Sequence, residues 1–272
     1  MKYYKIDIKI YEEYMPPYFT GSQLRGALGY ALKKVVCINP TYECENCFAK
    51  DNCLFYTFYL EDNYHKYRFD ISLGNKSYDF SFYLFDEVCE QLPFILSSFH
   101  KLLTSIGLGK ENKYFNEFKI YVNDILVYEN ETFDLKNITQ KEYKESETKK
   151  DVAINILTPI RIKKENKLIY DDSLDLFDIL LSSRKRYEYI YPNAPKLEVT
   201  KEYKVVNKNL YKKNLTRYSS PQKTKMKFDG VMGSLVVKDL SEQNYKILKI
   251  AELLNVGKQT VFGLGKIEVK EI

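Results

Sequence analysis

The strongest constraint on the fold is an order of hydrophobic periodicities that can be traced twice along the chain. Tyr4, Ile6, Ile8 and Ile10 alternate with polar residues, the period of a half-buried strand. Pro16-Pro17 ends that pattern. Thr20-Gly21-Ser22-Gln23 then has capping-box spacing and opens a helix that buries Leu24, Ala27, Leu28, Ala31 and Val35. Gly26 and Gly29 weaken a helix interior, which predicts a close packing partner. Two strands follow around Gly74-Asn75, Tyr67 to Leu73 and Tyr78 to Leu84. A helix runs from Asp86 to Ile106 with Leu92, Ile95, Phe99, Leu102 and Leu103 inward, and a strand carries Phe118, Ile120 and Val122. The order strand, helix, strand, strand, helix, strand is that of a βαββαβ unit.

The same order recurs after a polar stretch. A strand from Ala153 to Ile162 is followed by a helix from Ser173 to Tyr189 with Leu174, Phe177, Leu180 and Leu181 apolar. Two long strands, about Leu197 to Tyr211 and Met226 to Val237, precede a helix with Tyr245, Leu248, Ala251 and Leu254 and a closing strand from Lys266. The expected fold is therefore α+β, two tandem ferredoxin-like, RRM-like domains. Residues 1–130 form the first, 131–150 a linker and 151–272 the second, ample length for two cores at 272 residues.

Each second helix leads into a glycine loop. The first is Gly107-Leu108-Gly109-Lys110. The second runs from Asn255 to Gly265 and holds Gly257, Gly263 and Gly265 with Lys258, Gln259 and Thr260. Such a loop either cradles phosphates on backbone N–H groups or makes a tight connection that only glycine permits. Net charge points to the same half. Lys196 to Lys227 carries ten Lys/Arg and two Asp/Glu, so +8 of charge is concentrated there in a chain of +5 overall. Tyr203, Tyr211 and Tyr218 are interleaved. Cations beside aromatics suit a nucleic-acid backbone and unstacked bases, although a solvated lysine-rich face has the same composition.

Between the first helix and the next strand stand Cys37, Cys44, Cys47 and Cys53, spaced C-x6-C-x2-C-x5-C. No apolar run approaches the about 18 residues of a membrane helix, and a soluble cytoplasmic protein with no membrane partner is expected. In that setting four cysteines favour a metal over disulfides, and four thiolates close a tetrahedral structural Zn2+ site with no open position for catalysis. Unligated thiols and an iron–sulfur cluster are the alternatives. Cys89, alone in a helix, is expected to be buried as an apolar residue.

Several of these stretches occur together in a known order: Gly21 to Gly29, the cysteine cluster, Gly107 to Lys110, Leu157-Thr158-Pro159-Ile160-Arg161, Arg184-Lys185-Arg186, Tyr218-Ser219, Asp229-Gly230-Val231-Met232-Gly233 and the terminal glycine loop. Together they resemble the CRISPR precursor-RNA-processing endoribonucleases of the RAMP superfamily, in a subgroup with a cysteine-rich insertion. The resemblance implies two ferredoxin-like domains that bind CRISPR repeat RNA between them. It also implies cleavage without a catalytic metal, by ribose 2′-oxygen attack that leaves a 2′,3′-cyclic phosphate and a 5′-hydroxyl. A competing expectation is a RAMP-type subunit that binds guide RNA in an effector complex without cutting it. A monomer or a homodimer fits either.

That chemistry needs a base for the 2′-hydroxyl, an acid for the departing 5′-oxygen and cations for the phosphorane. The family places a catalytic histidine near the first helix, with tyrosine and lysine. Here that helix has Tyr30, Lys33 and Lys34 but no histidine, so the catalytic candidates are His65, Tyr30 and Lys34. His100, beside apolar Phe99 and Leu103, is expected to be structural. Lys110, Arg217, Lys223, Lys225 and Lys258 are expected on phosphates, Tyr218 on a base, and Arg25, Lys33, Gly257, Gln259, Thr260, Gly263 and Gly265 along the RNA. For Arg25 a structural role is equally expected.

Overall fold

In the computed structural model, which describes residues 1–109, 111–219 and 224–272, the chain divides into two compact units, Met1–Glu142 and Tyr143–Ile272. Each is α+β and is built on an antiparallel sheet.

In the first unit β1 (Lys2–Ile10) lies between β3 (Phe80–Phe85) and β4 (Phe118–Val122). Beyond β3 lies β2 (Tyr67–Asp70), and beyond β4 lie β5 (Ile125–Glu129) and β6 (Thr132–Phe133). Two main helices, α1 (Gly21–Val36) and α3 (Leu92–Lys101), pack on each other, with the short α2 (Leu54–Tyr59) against α1. The order β2-β3-β1-β4 is consistent with the expected ferredoxin-like unit. The strand period places Tyr4, Ile6, Ile8 and Ile10 in the core, where Phe69, Phe82 and Phe99 meet edge to face.

Local details depart from the sequence reading. Thr20 precedes α1 with no side-chain cap, and Gln23 instead accepts a 2.7 Å hydrogen bond from the Tyr78 hydroxyl. In α1 Leu32 is buried, whereas Ala27 and Val35 are only half-buried. Only one helix glycine has the close neighbour expected: Gly29 meets the Tyr59 ring, while nothing lies within 4 Å of Gly26. The stretch 131–150 is not linker throughout, because β6 extends the sheet and β7 (Lys141–Glu142) pairs with the start of β1. The expected 86–106 helix is a 310 turn, α3 and one π turn in succession. Cys89 is buried as expected, and its thiol is pushed up to about 12 chiefly by desolvation.

The second unit repeats the order. β8 (Val152–Ile160) lies between β14 (Gly230–Lys238) and β15 (Ile267–Glu271), with β11 (Lys204–Lys213) outside β14. A small hairpin, β9 (Lys163–Lys164) and β10 (Lys167–Leu168), follows β8. A second, β12 (Thr216–Ser219) and β13 (Thr224–Lys227), joins β11 to β14. The helices α4 (Leu176–Ile190) and α5 (Glu242–Leu254) pack together. Asp175 caps α4 with a full capping box and Ser241 caps α5. Among the described residues no helix is long and apolar enough to cross a membrane.

Candidate nucleic-acid interface and active-site residues

The terminal glycine loop is mostly interior. Gly257, Thr260, Gly263 and Gly265 are buried, Gln259 is half-buried and Lys258 is exposed. Its backbone N–H groups are largely spent inside the fold. Val256 donates to Gly265 O at 2.8 Å, Lys258 to Arg161 O at 2.8 Å, Gly263 to Thr260 O at 2.8 Å and Gly265 to Pro159 O at 3.0 Å. Gly265 has φ +76°, and a Cβ there would stand 1.9 Å from the Val256 carbonyl oxygen. Gly257, at φ +81°, has the Arg161 carbonyl oxygen 2.5 Å from the same point. The tight connection therefore accounts for these glycines, and the loop's exposed cation is Lys258. Gln259 has a buried Oε1 with no hydrogen-bond partner among the described residues.

The other motif residues of this unit support the loop. The Thr158 hydroxyl donates to Gly263 O and accepts from the Lys266 N–H, both at 2.8 Å. Arg186, 2% exposed, donates through Nε to Leu254 O at 2.9 Å. Arg161 donates to Asp229 O, and burial lowers its pKa. Asp229 in turn accepts from the Leu215 N–H at 3.1 Å. These buried polar groups are satisfied by backbone partners, as burial demands.

The basic segment lies largely on strands. In β11 Lys204, Lys208, Tyr211 and Lys212 are exposed, and Lys212 Nζ lies 4.9 Å from the Tyr170 ring centre. The charge density was legible in the sequence, and the strand places Lys208 and Lys212 on one face and Tyr211 on the other. Arg217 and Tyr218 belong to β12 and Lys225 to β13, paired Tyr218 with Lys225. Their side chains, together with Lys110 and Lys223 as whole residues, lie outside the described residues.

In the first unit the catalytic candidates fall on different sides. Tyr30 and Lys34 are exposed and one helical turn apart in α1, roughly 140° and 180° around the axis from Arg25. His65 precedes β2 with its ring 5.4 Å from that of Tyr67, and the Tyr67 hydroxyl accepts from Arg25 Nε at 3.2 Å. His65 thus stands toward the Arg25 side and is not gathered with Tyr30 and Lys34. Arg25 also donates to Phe58 O at 3.3 Å and lies 4.5 Å from the Tyr59 ring centre, a structural clamp. Burial is the main cause that raises the Tyr59 and Tyr67 pKa values, with the Arg25 charge opposing it. His100 is boxed by Phe118, Tyr128 and Phe133, and desolvation lowers its pKa.

Cys37, Cys44, Cys47 and Cys53 are free and half-buried, and all four line one small pocket with Lys33, Glu43, Lys50, Phe55 and Tyr56. Lys33 Nζ lies 5.2 Å from the Phe55 ring centre, which turns it toward this pocket. Among the described residues no three His, Cys, Asp or Glu side chains are grouped as ligands of one ion, so the expected closed zinc site is not formed by the side chains as they stand.

Comparison with known proteins follows the division of the chain. Residues 1–150 match the AF_1859_N family, an N-terminal domain, and residues 154–267 match the CRISPR-associated endoribonuclease Cas6. An uncharacterized protein of Archaeoglobus fulgidus is 25% identical over 289 residues, covering 96% of this chain and 94% of that protein. Two Cas6 product complexes share the fold at 14% identity. One covers 99% of this chain and 100% of its own with a TM-score of 0.59, the other 100% of both with 0.58. The family model over residues 1–150 covers more than half of the chain, which therefore belongs to the AF_1859_N family, with a match to the CRISPR-associated endoribonuclease Cas6 over residues 154–267.

Proposed function

We propose that this protein binds CRISPR repeat RNA and cuts the precursor transcript into guide RNAs without a catalytic metal. The observation that carries the reading is the Cas6 domain over residues 154–267. The exposed cations Lys204, Lys208, Lys212 and Lys258 supply phosphate contacts, with the half-buried Gln259 beside Lys258. Arg217, Tyr218, Lys223, Lys225 and Lys110 extend that set by residue type. Gly257, Thr260, Gly263 and Gly265 serve by holding Lys258 and Gln259 in place.

In the reaction the 2′-hydroxyl loses its proton to a base as its oxygen bonds to phosphorus. The bond from phosphorus to the 5′-oxygen breaks, and that oxygen takes a proton. His65 is the candidate for proton transfer because His100 is enclosed by aromatic rings. Lys34 and Tyr30 are candidates for charge stabilisation and proton donation. Their separation from the His65 side of α1 favours a second reading, an RNA-binding subunit of an effector complex that does not cut. Incubating the protein with repeat RNA in EDTA, with and without a 2′-deoxy nucleotide at the cut site, separates the two. Cleavage in EDTA that the 2′-deoxy substitution abolishes supports the nuclease. Tight binding without cutting replaces it by the subunit.

A further inference from the structure

The cysteine segment has no core of its own. No residue from 38 to 52 is buried, and its single regular piece is the 310 turn Lys50–Asn52. Ile38, Tyr42 and Phe48 are 69%, 51% and 76% exposed. Nothing apolar in this segment offsets the conformational entropy of holding it in one shape. Yet its four cysteines line one pocket, from supports that differ in kind. Cys37 ends α1, its N–H donating to Lys33 O at 3.0 Å, and Cys53 leads directly into α2. Cys44 and Cys47 form a turn closed by the Cys47 N–H and the Cys44 carbonyl.

The pocket's other walls fit an anionic thiolate cluster. Lys33 and Lys50 line it, with their ammonium groups 5.2 Å and 4.8 Å from the Phe55 and Tyr56 ring centres. Four thiolates around one divalent ion carry a net negative charge, which two lysines balance. Zinc is the ion whose preference is four soft donors in a closed tetrahedron.

We propose that Cys37, Cys44, Cys47 and Cys53 bind one zinc ion, and that this bond fastens residues 38–52 and α2 to the end of α1. Binding forms four zinc–sulfur bonds and releases the thiol protons to solvent, with no change of oxidation state. The four thiols are not grouped as ligands of one ion among the described residues, so binding draws them together. The consequence for α1 runs through α2, a six-residue helix too short to persist alone, whose Phe58 and Tyr59 hold Arg25. Zinc is a structural group here.

The test uses the full chain and does not depend on RNA cleavage, so it stands or falls separately from the nuclease reading. Elemental analysis should find one zinc per chain. A thiol reagent should find the four cysteines slow to react, and a strong chelator should make all four fast while buried Cys89 stays slow. Cobalt in place of zinc should show thiolate charge-transfer bands and tetrahedral visible bands. On chelation, protease cuts should appear within 38–52 while the strand signal in circular dichroism is kept. The double variant C44S/C47S should lose the metal, and chelation of the unmodified chain gives the same readout should that variant not fold. Four immediately reactive thiols with no stoichiometric metal overturn the proposal, as does iron with inorganic sulfide in place of zinc.

Discussion

The Tyr59 hydroxyl donates a 2.7 Å hydrogen bond to the carbonyl oxygen of Arg25, whose guanidinium lies 4.5 Å from the centre of the same ring. One aromatic ring therefore closes both the backbone and the side chain of Arg25. The ring lies close over Gly29, with its Cε1 2.8 Å from where a Cβ would be.

This contact gives two alanine substitutions in one helix opposite signs. Gly29→Ala drives a methyl group into a ring held at two points, and should destabilise the protein by about 1–3 kcal/mol despite better helix propensity. Gly26→Ala meets nothing and should stabilise by up to about 1 kcal/mol. Urea midpoints at unchanged slope measure both. Equal shifts of the same sign would show that Tyr59 does not hold α1.

The terminal loop separates support from contact. Gly265→Ala, with its Cβ against the Val256 carbonyl and φ at +76°, should cost several kcal/mol, of the order seen for a clash compounded by strain. Lys258→Ala should leave the melting temperature unchanged and weaken RNA binding. The slope of log affinity against log salt should fall by roughly 0.7 for the one phosphate lost. An unaltered slope would remove Lys258 from the interface.

A pH prediction attaches to Glu12. Desolvation works to raise its pKa, but donors outweigh it: Lys113 Nζ at 2.7 Å and the amides of Asn116 and Glu117 hold the carboxyl below its usual range. A carboxyl lowered on folding stabilises above its unfolded pKa of about 4.3, and that contribution is lost as pH falls through the lowered value. Glu12→Gln should therefore cost about 1 kcal/mol at pH 7, and the gap to the native chain should narrow in acid. A gap constant from pH 7 to pH 3 would refute the assignment.

The two histidines should behave differently. Under the nuclease reading His65→Ala should slow cleavage by about 100-fold or more and remove one limb of the pH–rate profile. His100→Ala should leave the rate unchanged and cost about 1 kcal/mol of stability through its aromatic box. Single-turnover rates on repeat RNA measure this, and Tyr30→Phe and Lys34→Ala in the same assay show whether their face of α1 takes part. An unchanged rate in His65→Ala would take that residue out of the mechanism.

Strand and helix order were legible in the sequence because burial writes a period of two or 3.6 into a chain, and Ile6, Ile8 and Leu248 carried it clearly. The concentration of lysine was equally plain, as was the isolation of Cys89 as a buried group. Side-chain partners were not legible. Thr20 looked like a cap, but its side chain makes no cap bond, and Gly26 resembled Gly29 until Tyr59 took one of them. That the Lys33 ammonium lies beside the Phe55 ring at the cysteine pocket was likewise not legible. Local pattern records which residues leave water, since that depends on each residue and its neighbours in sequence. The partner each meets is set by contacts between distant segments, as Arg186 and Leu254 or Arg161 and Gly257 show, and only the tertiary structure decides those.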